Sequence, residues 1–126
     1  RIGYKLENII PYGESMGGAV AAYIARKYNI PKVILESSLP GIKYLIKSWY
    51  PLMSFLSLIF NEFDTISFIR GYTGKSLLLH CINDEIIPYK TIIELKSLVT
   101  KSIDMEGSHN NAIIPWEEVE KFILKE

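Results

Sequence analysis

The chain has 126 residues, 48% of them apolar and 22% charged, with 14 Lys and Arg against 14 Asp and Glu. That length allows one domain with a buried core, and the zero net charge removes the electrostatic case for a nucleic-acid or anionic-surface binder. A single cysteine, Cys81, excludes an internal disulfide framework and fits a reducing setting, cytoplasmic or on a membrane facing the cytoplasm.

The elements follow from the spacing of apolar residues. Residues 8–12 read as a short strand, although Pro11 removes one ladder donor from it. Residues 15–28 read as a helix, with Asn29 closing it and Pro31 barring its continuation. Lys32 to Glu36 is a strand whose Val33, Ile34 and Leu35 suit a buried parallel position. Residues 40–60 read as helical in two pieces broken near Pro51. A membrane span needs about 20 apolar residues without interruption, and Lys43, Lys47 and Pro51 interrupt this one. The section therefore reads as buried or covering a site, with a lipid- or acyl-docking surface as the alternative.

A short helix is predicted at Asp64 to Ile69, a turn at Gly71 to Gly74, and a third strand at residues 76–82. Pro88 opens a helix to Val99, with Ile92, Leu95 and Val99 on one face. Residues 101–105 form a fourth strand. The last helix runs from Pro115 to about Leu124, with Val119, Phe122 and Ile123 as its apolar stripe. Strand–helix alternation of this kind predicts the α/β class, a mostly parallel sheet of about four strands flanked by helices.

The chemistry-bearing motif is Gly13-Glu14-Ser15-Met16-Gly17, which fits G-x-S-x-G between a strand and a helix. That context defines a nucleophile elbow, a sharp turn that holds the serine hydroxyl clear of the sheet. Gly13 and Gly17 would give the turn its room. The bland alternative makes Ser15 a helix N-cap. Asp84 lies in a polar turn after the third strand, and His109 in a Gly-containing loop after the fourth. The order Ser, Asp, His is that of one hydrolase fold and differs from the chymotrypsin and subtilisin orders. All three follow predicted strands, whose ends share one edge of a parallel sheet. Otherwise Asp84, with Glu85 beside it, is a turn residue and His109 a loop histidine without a partner. Glu14 either lines the site or is solvated. His80 lies in an apolar run and reads as structural, and Cys81 as a small buried hydrophobe. Adjacent strand residues face opposite sides, so His80, Cys81, Asp84 and His109 do not read as a metal site, and no cofactor is expected.

Four segments carry a resemblance: Asn8 to Ala22, Leu35-Glu36-Ser37-Ser38, Asn83 to Pro88, and Gly107-Ser108-His109-Asn110. Together they resemble the C-terminal half of an α/β-hydrolase of the Bem46-like group, with the α/β-hydrolase domain-containing 13 and 17 proteins, related to the prolyl oligopeptidases. Cys81 departs from the pattern, standing where relatives carry glycine. The resemblance implies a partial α/β-hydrolase fold, with residues 1–126 as the C-terminal portion of a single domain whose first half is not in this sequence. It implies Ser15 as nucleophile, Asp84 as orienting acid, His109 as base and the Met16 N–H as one oxyanion donor, the second donor belonging to the first half. The expected activity is a serine hydrolase acting on an ester, thioester or related acyl bond of a hydrophobic small-molecule or acylated substrate. Membrane association is expected only through a preceding segment. The alternatives are an inactive piece of a split hydrolase and a binding module that keeps the fold.

Overall fold

In the computed structural model, which describes residues 3–49 and 64–126, four strands lie side by side. They are β1 (Tyr12–Glu14), β2 (Lys32–Glu36), β3 (Lys75–Cys81) and β4 (Lys101–Met105). The sheet order is β1-β2-β3-β4 and every pairing is parallel. Among the described residues five helices accompany them: α1 (Gly17–Lys27), α2 (Ile42–Trp49), α3 (Thr65–Arg70), α4 (Ile93–Leu98) and α5 (Trp116–Leu124).

Alternation along the strands divides the core in two. Val33, Leu35 and Leu78 point to one face and pack with Ala21, Ala22 and Ala25 of α1, Ile66 and Ile69 of α3, and Leu95 of α4. Ile34, Leu77, Leu79, Cys81 and Met105 point to the other and pack with Val119 and Phe122 of α5. Burial on both faces is what allows the unbroken apolar run of β3. Ile123, placed by periodicity in the stripe of α5, is instead 38% exposed. Its carbonyl and that of Phe122 accept from the Lys32 ammonium at 2.9 and 2.8 Å, which fastens the end of α5 to β2.

Helix ends are closed by local chemistry. Asp64 caps α3, its carboxylate accepting from the Ser67 N–H at 3.1 Å. Asn29 takes a left-handed conformation, φ 51°, after α1, and Ile30 N–H returns to the Ala25 carbonyl at 2.9 Å. That bond, spanning five residues back, is the Schellman closure.

The structure corrects two of the expected elements. Residues 8–12 are not a strand: a 3₁₀ turn occupies Leu6–Asn8, and β1 starts only at Tyr12. Pro11 has no N–H to give, and it contributes only its carbonyl, which accepts from Ile34 at 2.9 Å. The single helix expected at 88–99 is split into a 3₁₀ turn, Tyr89–Ile92, and α4. There the Thr91 N–H and hydroxyl both donate to the Pro88 carbonyl, at 2.8 and 2.7 Å, which tightens the first turn. Of the helical section expected at 40–60, α2 is its first piece; the second piece and the break at Pro51 lie outside the described residues. Among the described residues no helix is long and apolar enough to cross a membrane.

Phe122 is 1% exposed and is the largest side chain of the α5 face. Truncation there leaves a cavity under a single covering helix. Phe122→Ala is expected to lower unfolding free energy by about 3–5 kcal/mol in urea denaturation, with the midpoint shifting at unchanged slope.

Candidate active site

All four strands run the same way, so the turns after β1, β3 and β4 emerge at one edge of the sheet. Those turns carry Ser15, Asp84 and His109, and the structure brings the three together. His109 Nδ1 lies 2.8 Å from Asp84 Oδ2, and His109 Nε2 lies 3.2 Å from Ser15 Oγ. The carboxylate can only accept, so Nδ1 carries the ring proton. The lone pair on Nε2 then faces the serine hydroxyl.

Ser15 sits at φ +53°, a left-handed conformation that strains a side-chain-bearing residue. The turn is locked on both sides. Ser15 N–H donates to the Glu36 carbonyl at 3.0 Å, and the Ser15 carbonyl accepts from Gly18 at 3.1 Å and Leu39 at 3.0 Å. Space explains the glycines, though not as expected. A Cβ at Gly13 would stand 2.2 Å from the Gly17 carbonyl oxygen, so β1 and α1 meet there backbone to backbone. A Cβ at Gly17 would meet nothing within 4 Å, whereas at Gly18 it would stand 1.6 Å from Ser38 Oγ and 2.7 Å from Ser38 Cβ. The second close approach of the turn is therefore made by Gly18, against the residues that follow β2, and not by Gly17. Glu14 is exposed.

Asp84 is 5% exposed, and its charge is met by donors on both oxygens. Oδ1 accepts from the Ile86 and Ile87 N–H groups at 2.9 and 2.7 Å, and Oδ2 accepts from His109. Bonds of this kind hold a buried carboxylate in place. Behind it lies His80, 1% exposed, with Nε2 at 2.9 Å from the Ile87 carbonyl and 3.6 Å from Asp84 Oδ2. The carbonyl fixes the proton on Nε2 and leaves Nδ1 buried without a partner among the described residues. Burial, against weaker opposing help from the Ile87 carbonyl and Asp84, pushes the His80 pKa down. Cys81 points to the other face, buried, with Sγ 3.6 Å from the Glu106 and Ser108 carbonyls; burial raises its thiol pKa.

His109 rides the tip of a loop closed by an isolated bridge between Glu106 and Ile113. Gly107 turns that loop at φ +106°, where a Cβ would stand 2.2 Å from the Asn111 carbonyl oxygen. The His109 N–H donates to the Glu85 carboxylate at 3.0 Å. Glu85 is a contact that reading along the chain misses, since its partner lies 24 residues away. Gly18 is the other, although the doubled glycine after Met16 was a visible signal. Beside Ser15 opens a cavity of about 420 Å³, walled by Met16, Leu39, Ile42, Leu45, Ile86 and Ile87. Its size falls in the range of small-ligand pockets.

Relatives carry the same chain segment. The sequence is 28% identical to the α/β hydrolase domain-containing protein 17C of Homo sapiens, across 90% of this chain and 34% of that protein. The chain is a relative of the α/β-hydrolases. This α/β-hydrolase relative is also 32% identical to an uncharacterized protein of Acanthamoeba polyphaga mimivirus, across 92% of this chain and 47% of the viral protein. The four-stranded parallel sheet matches part of the α/β-hydrolase fold. Acetyl xylan esterase 1 of a Thermoanaerobacterium species superposes with a TM-score of 0.67 at 14% identity, over 96% of this chain and 46% of the esterase. No family model matches the chain. The chain spans about half the length, 47% and 48%, of the first curated relatives it matches.

Two outcomes follow from the site's packing. Gly18→Ala is expected to destabilise by about 1–3 kcal/mol through overpacking on Ser38, while Gly17→Ala is neutral or slightly stabilising in the first helical turn. Thermal melts of the two variants separate them. His80 gives a pH dependence. Its folded pKa is lowered, so unfolding takes up a proton in acid, and stability falls as pH drops below the unfolded value of about 6.5. The urea midpoint is expected to fall between pH 7.5 and 5.5, and to fall less in His80→Gln.

Proposed function

We propose that this chain carries the catalytic residues of a serine hydrolase acting on an ester, thioester or related acyl bond. The observation that carries the reading is the bridging position of His109, bonded to a buried carboxylate through one ring nitrogen and facing a strained serine hydroxyl through the other.

The chemistry follows from the residue types. A serine hydroxyl is a weak nucleophile at neutral pH until a base takes its proton, and a neutral imidazole suits that task. Ser15 Oγ attacks the acyl carbonyl carbon while its proton passes to His109 Nε2. Asp84 holds the ring in the tautomer that leaves Nε2 free and stabilises the imidazolium. The negative charge that develops on the carbonyl oxygen falls near the turn after Ser15, where the Met16 N–H is a donor at the start of α1. Such a donor contributes about 10²–10³ in rate. Collapse breaks the bond to the leaving group, which takes the proton from His109. Water then repeats the sequence on the acyl-serine and releases the acid.

The apolar cavity beside Ser15 supports a hydrophobic acyl group as the occupant. The esterase superposition and the hydrolase names of the relatives agree with acyl transfer as the reaction class. Burial contributes about 0.8 kcal/mol per methylene, so each added methylene is expected to raise kcat/KM up to about fourfold until the cavity is filled. Rates on nitrophenyl esters from acetyl to octanoyl check this, and rates flat across the series count against a hydrophobic acyl substrate.

The central test is covalent labelling with a fluorophosphonate. Wild type is expected to label at a rate that falls in acid, because a protonated imidazole cannot accept the serine proton. Ser15→Ala is expected to lose labelling entirely, and His109→Ala to lose about 10³ or more in rate. Labelling of Ser15→Ala at the wild-type rate removes the serine from the mechanism.

A further inference from the structure

The loop that carries His109 closes on itself around the histidine, but His109 makes none of its internal backbone bonds. Its internal backbone bonds join Glu106 to Ile113 and Ser108 to Asn111, at 2.9 Å for Ile113 N–H to the Glu106 carbonyl and 3.3–3.4 Å for the other two. His109 lies between them and takes no part in either pair. Two charged bonds reach it from the loop after β3: Asp84 to the ring at 2.8 Å and Glu85 to the backbone N–H at 3.0 Å. These bonds differ in what they fix. A bond to Nδ1 sets the rotation of the ring. A bond to the backbone N–H sets where the Cα, and with it the whole side chain, stands relative to Ser15.

We propose that Glu85 is a positioning residue that holds the backbone of His109 in place, so that the ring can reach Asp84 and Ser15 at once. The inference rests on the proposed hydrolase reading for its consequence in rate, and on geometry alone for its consequence in structure. The loop that bears Glu85 is itself rigid at this point. Asp84 Oδ1 accepts from Ile86 and Ile87, and His80 donates to the Ile87 carbonyl from the buried side. A carboxylate on a fixed loop is an anchor; the same carboxylate on a loose loop would follow the histidine instead of holding it. The other tie to this region, Cys81 Sγ to the Glu106 and Ser108 carbonyls at 3.6 Å, is a weak thiol bond; the Ser108 carbonyl shares a peptide unit with the His109 N–H, so the thiol backs the Glu85 bond without replacing it.

The geometry makes the bond a small but leveraged one. Glu85 is exposed, so water competes for its carboxylate and little global stability is at stake. The contact from His109 Nε2 to Ser15 is 3.2 Å, the longer of the two that the ring makes. A drift of the histidine backbone lengthens it first. Misplacement on the ångström scale costs up to about a hundredfold in rate.

The experiment compares wild type, Glu85→Ala and Glu85→Gln with two readouts. One is the rate of fluorophosphonate labelling at Ser15. The other is the proton NMR signal of the His109 Nδ1–H, which a bond to a carboxylate moves far downfield, followed in acid and at neutral pH. Glu85→Ala is expected to label about tenfold more slowly, to broaden or lose the downfield signal through faster exchange, and to keep the wild-type melting temperature within a few degrees. Glu85→Gln keeps an acceptor and is expected to restore both readouts to within about threefold. An alanine variant with the labelling rate and the NMR signal both unchanged overturns the inference and leaves the triad standing. A wild type that shows the downfield signal but does not label overturns the hydrolase reading, and the signal in Glu85→Ala then still decides whether Glu85 positions the ring. Loss in both variants alike, with no rescue by glutamine, also overturns the inference, since an acceptor alone is what the N–H requires.

Discussion

A carboxylate taken out of water has to be met by donors, and the arrangement around Asp84 is the constraint on which this rim of the molecule depends. Three N–H groups converge on it, two from its own turn and one from a loop 25 residues further on. The first two shape the turn after β3 by giving it a local nucleus in place of a helix or a strand. The third draws the loop after β4 across the edge of the sheet. His109 then reaches the turn after β1. One buried charge thus gathers three connections that the backbone ladders of the sheet do not themselves join. Removing the charge would release each of them, because an unpaired imidazole and the buried Ile87 N–H would be left behind.

The sheet prepares this convergence without specifying it. Parallel strands put every carboxyl end on the same side, and burial on both faces forces the connecting helices to lie above and below. The rim is what remains uncovered. Ser15, Asp84 and His109 are each the product of a local rule: a left-handed turn flanked by a glycine, an aspartate that folds its own turn, a loop bent by a glycine at positive φ. Their meeting is a product of topology. The apolar cavity beside Ser15 arises from the same cause, since α2 and the turn at Ile86 and Ile87 border the rim from the helical side.

Legibility in the sequence followed these two levels. β2 and β3 lie where runs such as Val33, Ile34 and Leu35 or Leu77, Leu78 and Leu79 mark them, because buried parallel strands are written in consecutive apolar residues. β1 was misread, since three residues carry no period; it is a strand because β2 pairs with it, and Pro11 delays its start. The helix after Pro88 looked continuous from Ile92, Leu95 and Val99, yet Thr91 folds back on Pro88 and tightens its first turn. In the turn around Ser15, Gly13 was correctly read as a close approach, but Gly17 was credited with a contact that belongs to Gly18. The doubled glycine after Met16 signalled a close approach but not which of the two makes it, because the answer depends on Ser38, a residue beyond the next strand. Glu85 shows the same limit: as a neighbour of Asp84 it looked incidental, and only the path of the loop from Gly107 gives it a partner.

The fit of Gly18 against Ser38 has a bearing on how such chains change over time. The helix behind the serine leans on the stretch leaving β2, with no room for even a methyl group between them. A larger residue at either place must be matched by a smaller one, or a shift of the backbone, at the other. Position 18 being already the smallest possible, nearly all the freedom lies at position 38, and it runs only downward, toward alanine or glycine. Drift in the second strand's exit is therefore bounded by the shape of the first turn, and a homologue with bulk at both places would have to seat its helix differently.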